Sequence, residues 1–162
     1  MECPPPSPRC NATLAAHPVK EELVLLGGEY FNGKSNTTFG DLFTFNPAKS
    51  EFRHVASPNA PLPRNSHQAV VIPRFGGQMW VFGGEYTSPK GDFRHYRDLW
   101  VLSLATMEWE EVRQRGAPSQ RSGHRMAAHG NKLYVFGGCG PEVRMALCHN
   151  GLCRTRGELS CR

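Results

Sequence analysis

The stretch MWVFGGEY, residues 79–86, runs four large apolar residues into a pair of glycines and stops. LVLLGGEY at 23–30 and LYVFGGCG at 133–140 repeat the device, the last without its Glu-Tyr. The glycine pairs begin at Gly27, Gly83 and Gly137, intervals of 56 and 54. Independent markers keep the same beat, which is the mark of an internal repeat. Arg9, Arg64 and Arg121 each follow a Pro-containing lead, 55 and 57 residues apart. Asp41-Leu42 recurs as Asp98-Leu99, and Phe52 as Trp109, each 57 residues on. The offset from Asp to aromatic is 11 in both copies, and from that aromatic to the next Arg it is 12.

Each unit reads as four short strands separated by breakers. In the second unit they are HQAVVIP (67–73), QMWVFGG (78–84), DLWVLSL (98–104) and EWEEV (108–112), with a turn at Phe75-Gly76-Gly77. Val, Ile, Phe, Trp and Tyr crowd these segments, as packed pleated surfaces prefer. A four-stranded sheet of this size cannot bury its faces alone, and stacking copies is the common solution. No window of a dozen residues carries helical periodicity.

An apolar strand ending in Gly-Gly, then a spaced aromatic, then Pro-x-x-Arg and a new strand, resembles the kelch repeat. The resemblance implies an all-β fold: a partial kelch β-propeller of two four-stranded antiparallel blades plus half of a third. The expected division is a Pro-rich segment (1–8), repeats over 9–57 and 58–113, a partial repeat over 114–138 and a divergent tail (139–162). The structural motif residues are Gly27, Gly28, Gly83, Gly84, Gly137, Gly138, Arg9, Arg64, Arg121, Phe52 and Trp109. The glycines allow a sharp exit where blades crowd, because glycine takes positive φ and has no Cβ. The arginines read as charged donors tying neighbouring blades through backbone carbonyls. His67 and His124, each three residues after an Arg, read as serving blade packing or a backbone hydrogen bond.

After Gly138 the pattern breaks. The tail CGPEVRMALCHNGLCRTRGELSCR has 4 of the 6 cysteines and no strand alternation, so it is expected to be disordered. A propeller needs at least four blades to close. An open stack leaves strand edges and one apolar face in water, which invites completion by another copy.

Composition excludes several classes. Hydrophobic residues make up 39% and charged residues 20%, which suits a folded domain. No unbroken aliphatic run is longer than that of Leu23 to Leu26, far short of the ~20 residues that cross a bilayer. The start, MECPPPSPRC, has neither the basic beginning nor the apolar core of a secretory signal. The expected location is therefore cytoplasmic or nuclear, where Asn11-Ala-Thr13 and Asn36-Thr-Thr38 match the glycosylation pattern by spelling only. Residues 1–112 carry 10 Lys or Arg against 12 Asp or Glu, a net of −2, and residues 113–162 carry 9 against 2, a net of +7. The excess is scattered, whereas nucleic-acid binding wants a clustered basic face.

Cys139, Cys148, Cys153 and Cys161 stand at C-x8-C-x4-C-x7-C, which lacks the two tight pairs of a zinc site. Free thiols are expected, Cys3 and Cys10 included, and no metal or cofactor. No E-x3-D-x3-H spacing of the iron-dependent propellers, no Ser-centred elbow and no isolated carboxylate pair is present. Catalysis is not expected. Binding has positive support: EYFNGKSNTTFG (29–40) and EYTSPKGDFRHYR (85–97) are long for a compact repeat. Tyr30, Phe31, Tyr86, Phe93, Arg94, His95 and Tyr96 are residue types that anchor protein contacts, although a repeated Tyr30 and Tyr86 would equally pack beneath the loop. The sequence therefore predicts a protein-interaction module, a fragment or isoform of a longer propeller, with another protein and no nucleic acid or membrane as partner. The alternatives are a substrate-receptor part of a ubiquitin ligase and a non-functional truncated product.

Overall fold

The computed structural model describes residues 4–113, 117–141 and 158–160. In chain order the first unit supplies β1 (Thr13–Ala16), β2 (Leu23–Leu26), β3 (Glu29–Phe31), β4 (Asn36–Thr38), β5 (Leu42–Asn46) and β6 (Glu51–Val55). The second supplies β7 (Gln68–Ile72), β8 (Gln78–Phe82), β9 (Glu85–Thr87), β10 (Phe93–His95), β11 (Leu99–Ser103) and β12 (Glu108–Glu111). The third supplies β13 (Arg125–His129) and β14 (Lys132–Phe136), and β15 (Glu158–Ser160) pairs with β14. Two four-stranded antiparallel sheets result, ordered β1-β2-β5-β6 and β7-β8-β11-β12, followed by β13-β14-β15. All four strands expected in the second unit form where the sequence placed them. Its turn at Phe75 is a single 3-10 turn over Arg74–Gly76 with Phe75 at φ 51°.

The expected loops 29–40 and 85–97 are β-hairpins, β3–β4 and β9–β10, inserted between the second and third strands of their sheets. Three-residue strands are too short to leave an alternation in the sequence, which is why they read as loops. The same holds for β15, the one described strand of the tail. The rest of the tail from residue 142, with Cys148, Cys153 and Cys161, and also Cys3, lies outside the described residues.

The apolar run of β8 is continuous because the strand is covered on both faces. Met79 and Val81 join Val24, Leu26 and Leu42 of the first unit, together with Leu102, Leu104 and Trp109. Trp80 and Phe82 join Leu133 and Val135 of the third unit, together with Leu99 and Val101. The second blade thus has a backward face toward the first unit and a forward face toward the third, and the equivalent positions mark the two faces of the other units. The residues one and three positions before the first glycine define the forward face: Val24 and Leu26, then Trp80 and Phe82, then Tyr134 and Phe136. The first four are at most 2% exposed, and the last two are 41% and 50% exposed.

Backbone contacts carry the stack from unit to unit. Gly28 N–H donates to the Arg64 carbonyl at 2.9 Å, and Gly84 N–H to the Arg121 carbonyl at 2.9 Å. Ser66 N–H donates to Asn11 O and Gly123 N–H to Ser66 O, both at 2.9 Å. Asn11, Ser66 and Gly123 hold equivalent left-handed conformations, at φ 56°, 53° and 65°. At Gly83 (φ +62°) an added Cβ would stand 2.6 Å from the Arg121 carbonyl oxygen. At Gly91 (φ +91°) an added Cβ would meet nothing within 4 Å. Gly91→Ala therefore pays only backbone strain, about 1–2 kcal/mol. Gly83→Ala should cost at least about 2 kcal/mol more in urea unfolding, because a backbone carbonyl must move; equal losses would mean that the blade junction is loose.

Candidate partner-binding face

Each unit is pinned by a buried cation. The Arg64 side chain, 1% exposed, donates from Nη1 to Gly83 O at 2.9 Å and to Asp98 Oδ1 at 2.9 Å. Its Nη2 donates to Asp98 Oδ2 at 2.8 Å, so the pair is bidentate. The guanidinium lies 4.5 Å from the centre of the Tyr96 ring. The first unit repeats the cage: Arg9 reaches Gly27 O at 3.1 Å and both Asp41 oxygens at 2.5 and 3.2 Å, and lies 4.0 Å over Phe39. Arg121 reaches Gly137 O at 2.8 Å. The expectation that these side chains tie neighbouring blades is corrected here. Each guanidinium serves its own unit, and the arginine's backbone carbonyl makes the bond to the unit before. Burial on its own would raise the Asp98 carboxyl, but the Arg64 hydrogen bonds and charge, helped by Trp100 Nε1, hold it below the usual carboxylate range.

The Glu of each Glu-Tyr closes the junction. Glu29 accepts from Asn11 and Asn36 at 2.8 Å each and from Asn65 of the next unit at 3.2 Å. Glu85 accepts from Ser122 of the third unit at 2.6 Å and faces His95 Nε2 at 3.3 Å. Cys139 occupies the corresponding place after Gly138. His67 and His124 are buried between units, each ring 3.1 Å from the Cβ position of the preceding unit's first glycine. His67 Nε2 pairs with Thr13 Oγ1 of the first unit at 2.9 Å. Burial, then the Arg64 and His124 charges, push the His67 pKa down to about 3. Burial, then the Arg121 and Arg125 charges, push His124 down to about 4, against an opposing contribution from the Phe82 backbone. Both rings are neutral near pH 7.

These anchors fix the bases of the two hairpins, and Thr38 joins them sideways. Its Oγ1 donates to Thr87 O at 2.9 Å and accepts from Thr87 N–H at 3.2 Å. A groove of about 410 Å³ runs between them, lined by Phe31, Lys34, Asn36, Thr87 and Lys90 among others. Of the seven candidate contact residues, Phe31 (63% exposed), Phe93 (65%) and Tyr30 (45%) stand in solvent. Arg94 is exposed and lies 5.6 Å from the Tyr86 ring, so Tyr86 packs beneath it while Tyr30 does not. His95 is turned toward Glu85 and meets Phe93 edge-on at 5.6 Å. Tyr96 is corrected from contact residue to core: it is 9% exposed, its ring carries Arg64, and its hydroxyl donates to Pro63 O at 3.1 Å. The equal offset of Phe39 and Tyr96, two residues before Asp41 and Asp98, was a signal of that role already present in the repeat.

Residues 3–153 match the model of the KLHDC2/KLHL20/DRC7 Kelch-repeats domain. The chain belongs to the kelch-repeat family. It is 31% identical over 142 residues to the leucine-zipper-like transcriptional regulator 1 homolog of Drosophila melanogaster, covering 85% of this chain and 14% of that one. It is 39% identical over 86 residues to host cell factor 2 of Homo sapiens, covering 51% of this chain and 10% of that one. A structure titled as that of YjhT aligns with a TM-score of 0.60 at 19% identity, covering 79% of this chain and 44% of that one, which speaks for the fold. The kelch chain thus spans a small part of these curated relatives. Among its described residues no helix is long and apolar enough to cross a membrane, and no group of three or more His, Cys, Asp or Glu is placed to hold a metal.

Two outcomes follow from the kelch anchors. The folded histidines lie below their ordinary value, so between about pH 6.5 and pH 4 the unfolded chain binds more protons than the folded one, and stability falls as pH falls. Urea unfolding at pH 5 should show a loss of about 1–2 kcal/mol per histidine relative to pH 7.5, while Asp98 adds its share only below about pH 4. A flat profile would mean that the rings accept protons in place. Asp98→Ala strands the Arg64 charge and should cost about 3–5 kcal/mol, measured the same way at pH 7.5.

Proposed function

We propose that this chain is a non-enzymatic kelch module, a fragment or isoform of a longer propeller, that holds another protein along the edge formed by hairpins β3–β4 and β9–β10 in the cytoplasm or nucleus. The carrying observation is the pair of exposed phenylalanines, Phe31 and Phe93, on adjacent hairpins whose bases are fixed by Glu29 and Glu85. Exposed aromatics on a rigid support lose little conformational entropy on docking, and Arg94 and Lys90 add charge that selects the partner. Two of the buried polar groups serve the fold: Arg64 is paired with Asp98, and His67 with Thr13. The ordered stretches NATLAAHPVKEELVLLGGEYFNGK, HQAVVIPRFGGQMWVFGGEYTSPKGD, HYRDLWVLSLATMEWEEV and RSGHRMAAH resemble the N-terminal part of kelch domain-containing protein 4, and that resemblance is the ground for reading the chain as a fragment or isoform of a longer propeller. The open third blade is a second surface, for self-association.

A Phe31→Ala/Phe93→Ala/Arg94→Ala variant tests the hairpin edge. All three side chains are exposed, so its urea midpoint should match that of the parent. In affinity capture from cell extract, proteins retained by the parent should be lost from the variant by at least about tenfold, given the concentration of binding energy in such anchors. Identical captured sets would sink the assignment of this edge.

A further inference from the structure

We propose that the forward face of the third unit is a docking surface for the backward face of the first unit in a second copy of this chain, head to tail. What covers a forward face is already on view twice. Val24 and Leu26 are covered by the second unit, and Trp80 and Phe82 by the third. At the same register Tyr134 and Phe136 are 41% and 50% exposed. The glycine slots agree. A Cβ at Gly27 or Gly83 would meet the next unit's arginine carbonyl and histidine ring, whereas one at Gly137 would meet nothing within 4 Å. Gly28 and Gly84 N–H each find such a carbonyl, and among the described residues none answers Gly138.

The first unit presents the matching half. Leu14 pairs with Leu25 on its backward face, as Ala69 pairs with Val81 and Met126 with Val135. Ala69 and Met126 are packed against a preceding unit, and Leu14 is 61% exposed. In the head-to-tail arrangement the second copy's Arg9 carbonyl takes the Gly138 N–H, and its Asn11 N–H takes the Gly123 carbonyl, extending the ladder Gly123-to-Ser66-to-Asn11. Ala12 replaces the histidine of the other junctions. Such a contact is heterologous, so it closes into a ring or extends into a chain of copies.

Light scattering on the 162-residue chain across a wide concentration range tests this. The parent should form dimers or longer assemblies. Tyr134→Glu/Phe136→Glu and Leu14→Glu should each be monomeric, with association weakened by at least about tenfold. An equimolar mixture of these two variants keeps one intact forward face and one intact backward face, and should stop at two chains. Because all three positions are substantially exposed, the urea transitions should persist, and the matching serine variants serve if a glutamate variant unfolds. A monomeric parent overturns the proposal. So does association unchanged by Leu14→Glu, which would place the contact elsewhere. The proposal rests on the open stack and not on the hairpin edge: the Phe31/Phe93/Arg94 variant keeps its mass whichever way partner capture turns out, so the two readings fail separately.

Discussion

The buried Arg64 guanidinium is the interaction on which the repeat depends. One residue acts twice: its side chain fastens Gly83 and Asp98 within its own blade, and its carbonyl receives Gly28 of the blade before. A buried ion pair contributes little net stability against an apolar core of equal volume, because desolvation of both charges offsets the attraction. What it fixes is position. The planar fork of arginine accepts one arrangement of carboxylate, carbonyl and ring at once, which lysine would not impose. A slip of one residue in β8 or β11 would break the fork and exchange the residues packed toward the preceding unit with those packed toward the following one.

That requirement explains why the repeat was legible as spacing. Arginine, glycine pair, aromatic and aspartate must keep their order and nearly their separations, because all four meet at one point. Strand positions were readable because β8 and β11 are apolar on both faces and bounded by glycine or aspartate. The partner of the arginine was not readable. Arg64 and Asp98 are 34 residues apart and meet only through the fold, so nothing local distinguished a bond within a blade from one between blades. Tyr96 was misplaced for a related reason. It follows Phe93 and Arg94 in sequence, and only the closing of β10 onto β9 turns its ring inward under Arg64 while its neighbours stay in solvent.

The hairpins gain their value as a surface from the same anchors. Alone, a hairpin with three-residue strands would be marginal in water. Here β3–β4 grows from a base where Glu29 takes hydrogen bonds from three asparagines, one belonging to the next blade. β9–β10 grows from Glu85, held between Ser122 and His95. The Thr38–Thr87 bonds then make the two hairpins one edge. The junction that holds the blades together therefore also sets where Phe31 and Phe93 stand.

The third unit departs from this scheme at one atom type. Where the first two carry a carboxylate that reaches across to Asn65 or Ser122, Cys139 offers a thiol, a weak donor and a weaker acceptor. Whatever covers the forward face of that unit must do so through the aromatic rings, the glycine slot and backbone hydrogen bonds, without the charge-assisted tie of the inner junctions. The apolar term is non-directional and scales with area, so it favours contact there without enforcing a register. The two chain-linked junctions combine apolar contact, backbone hydrogen bonds and a carboxylate tie, and the forward face of the third unit offers only the first two.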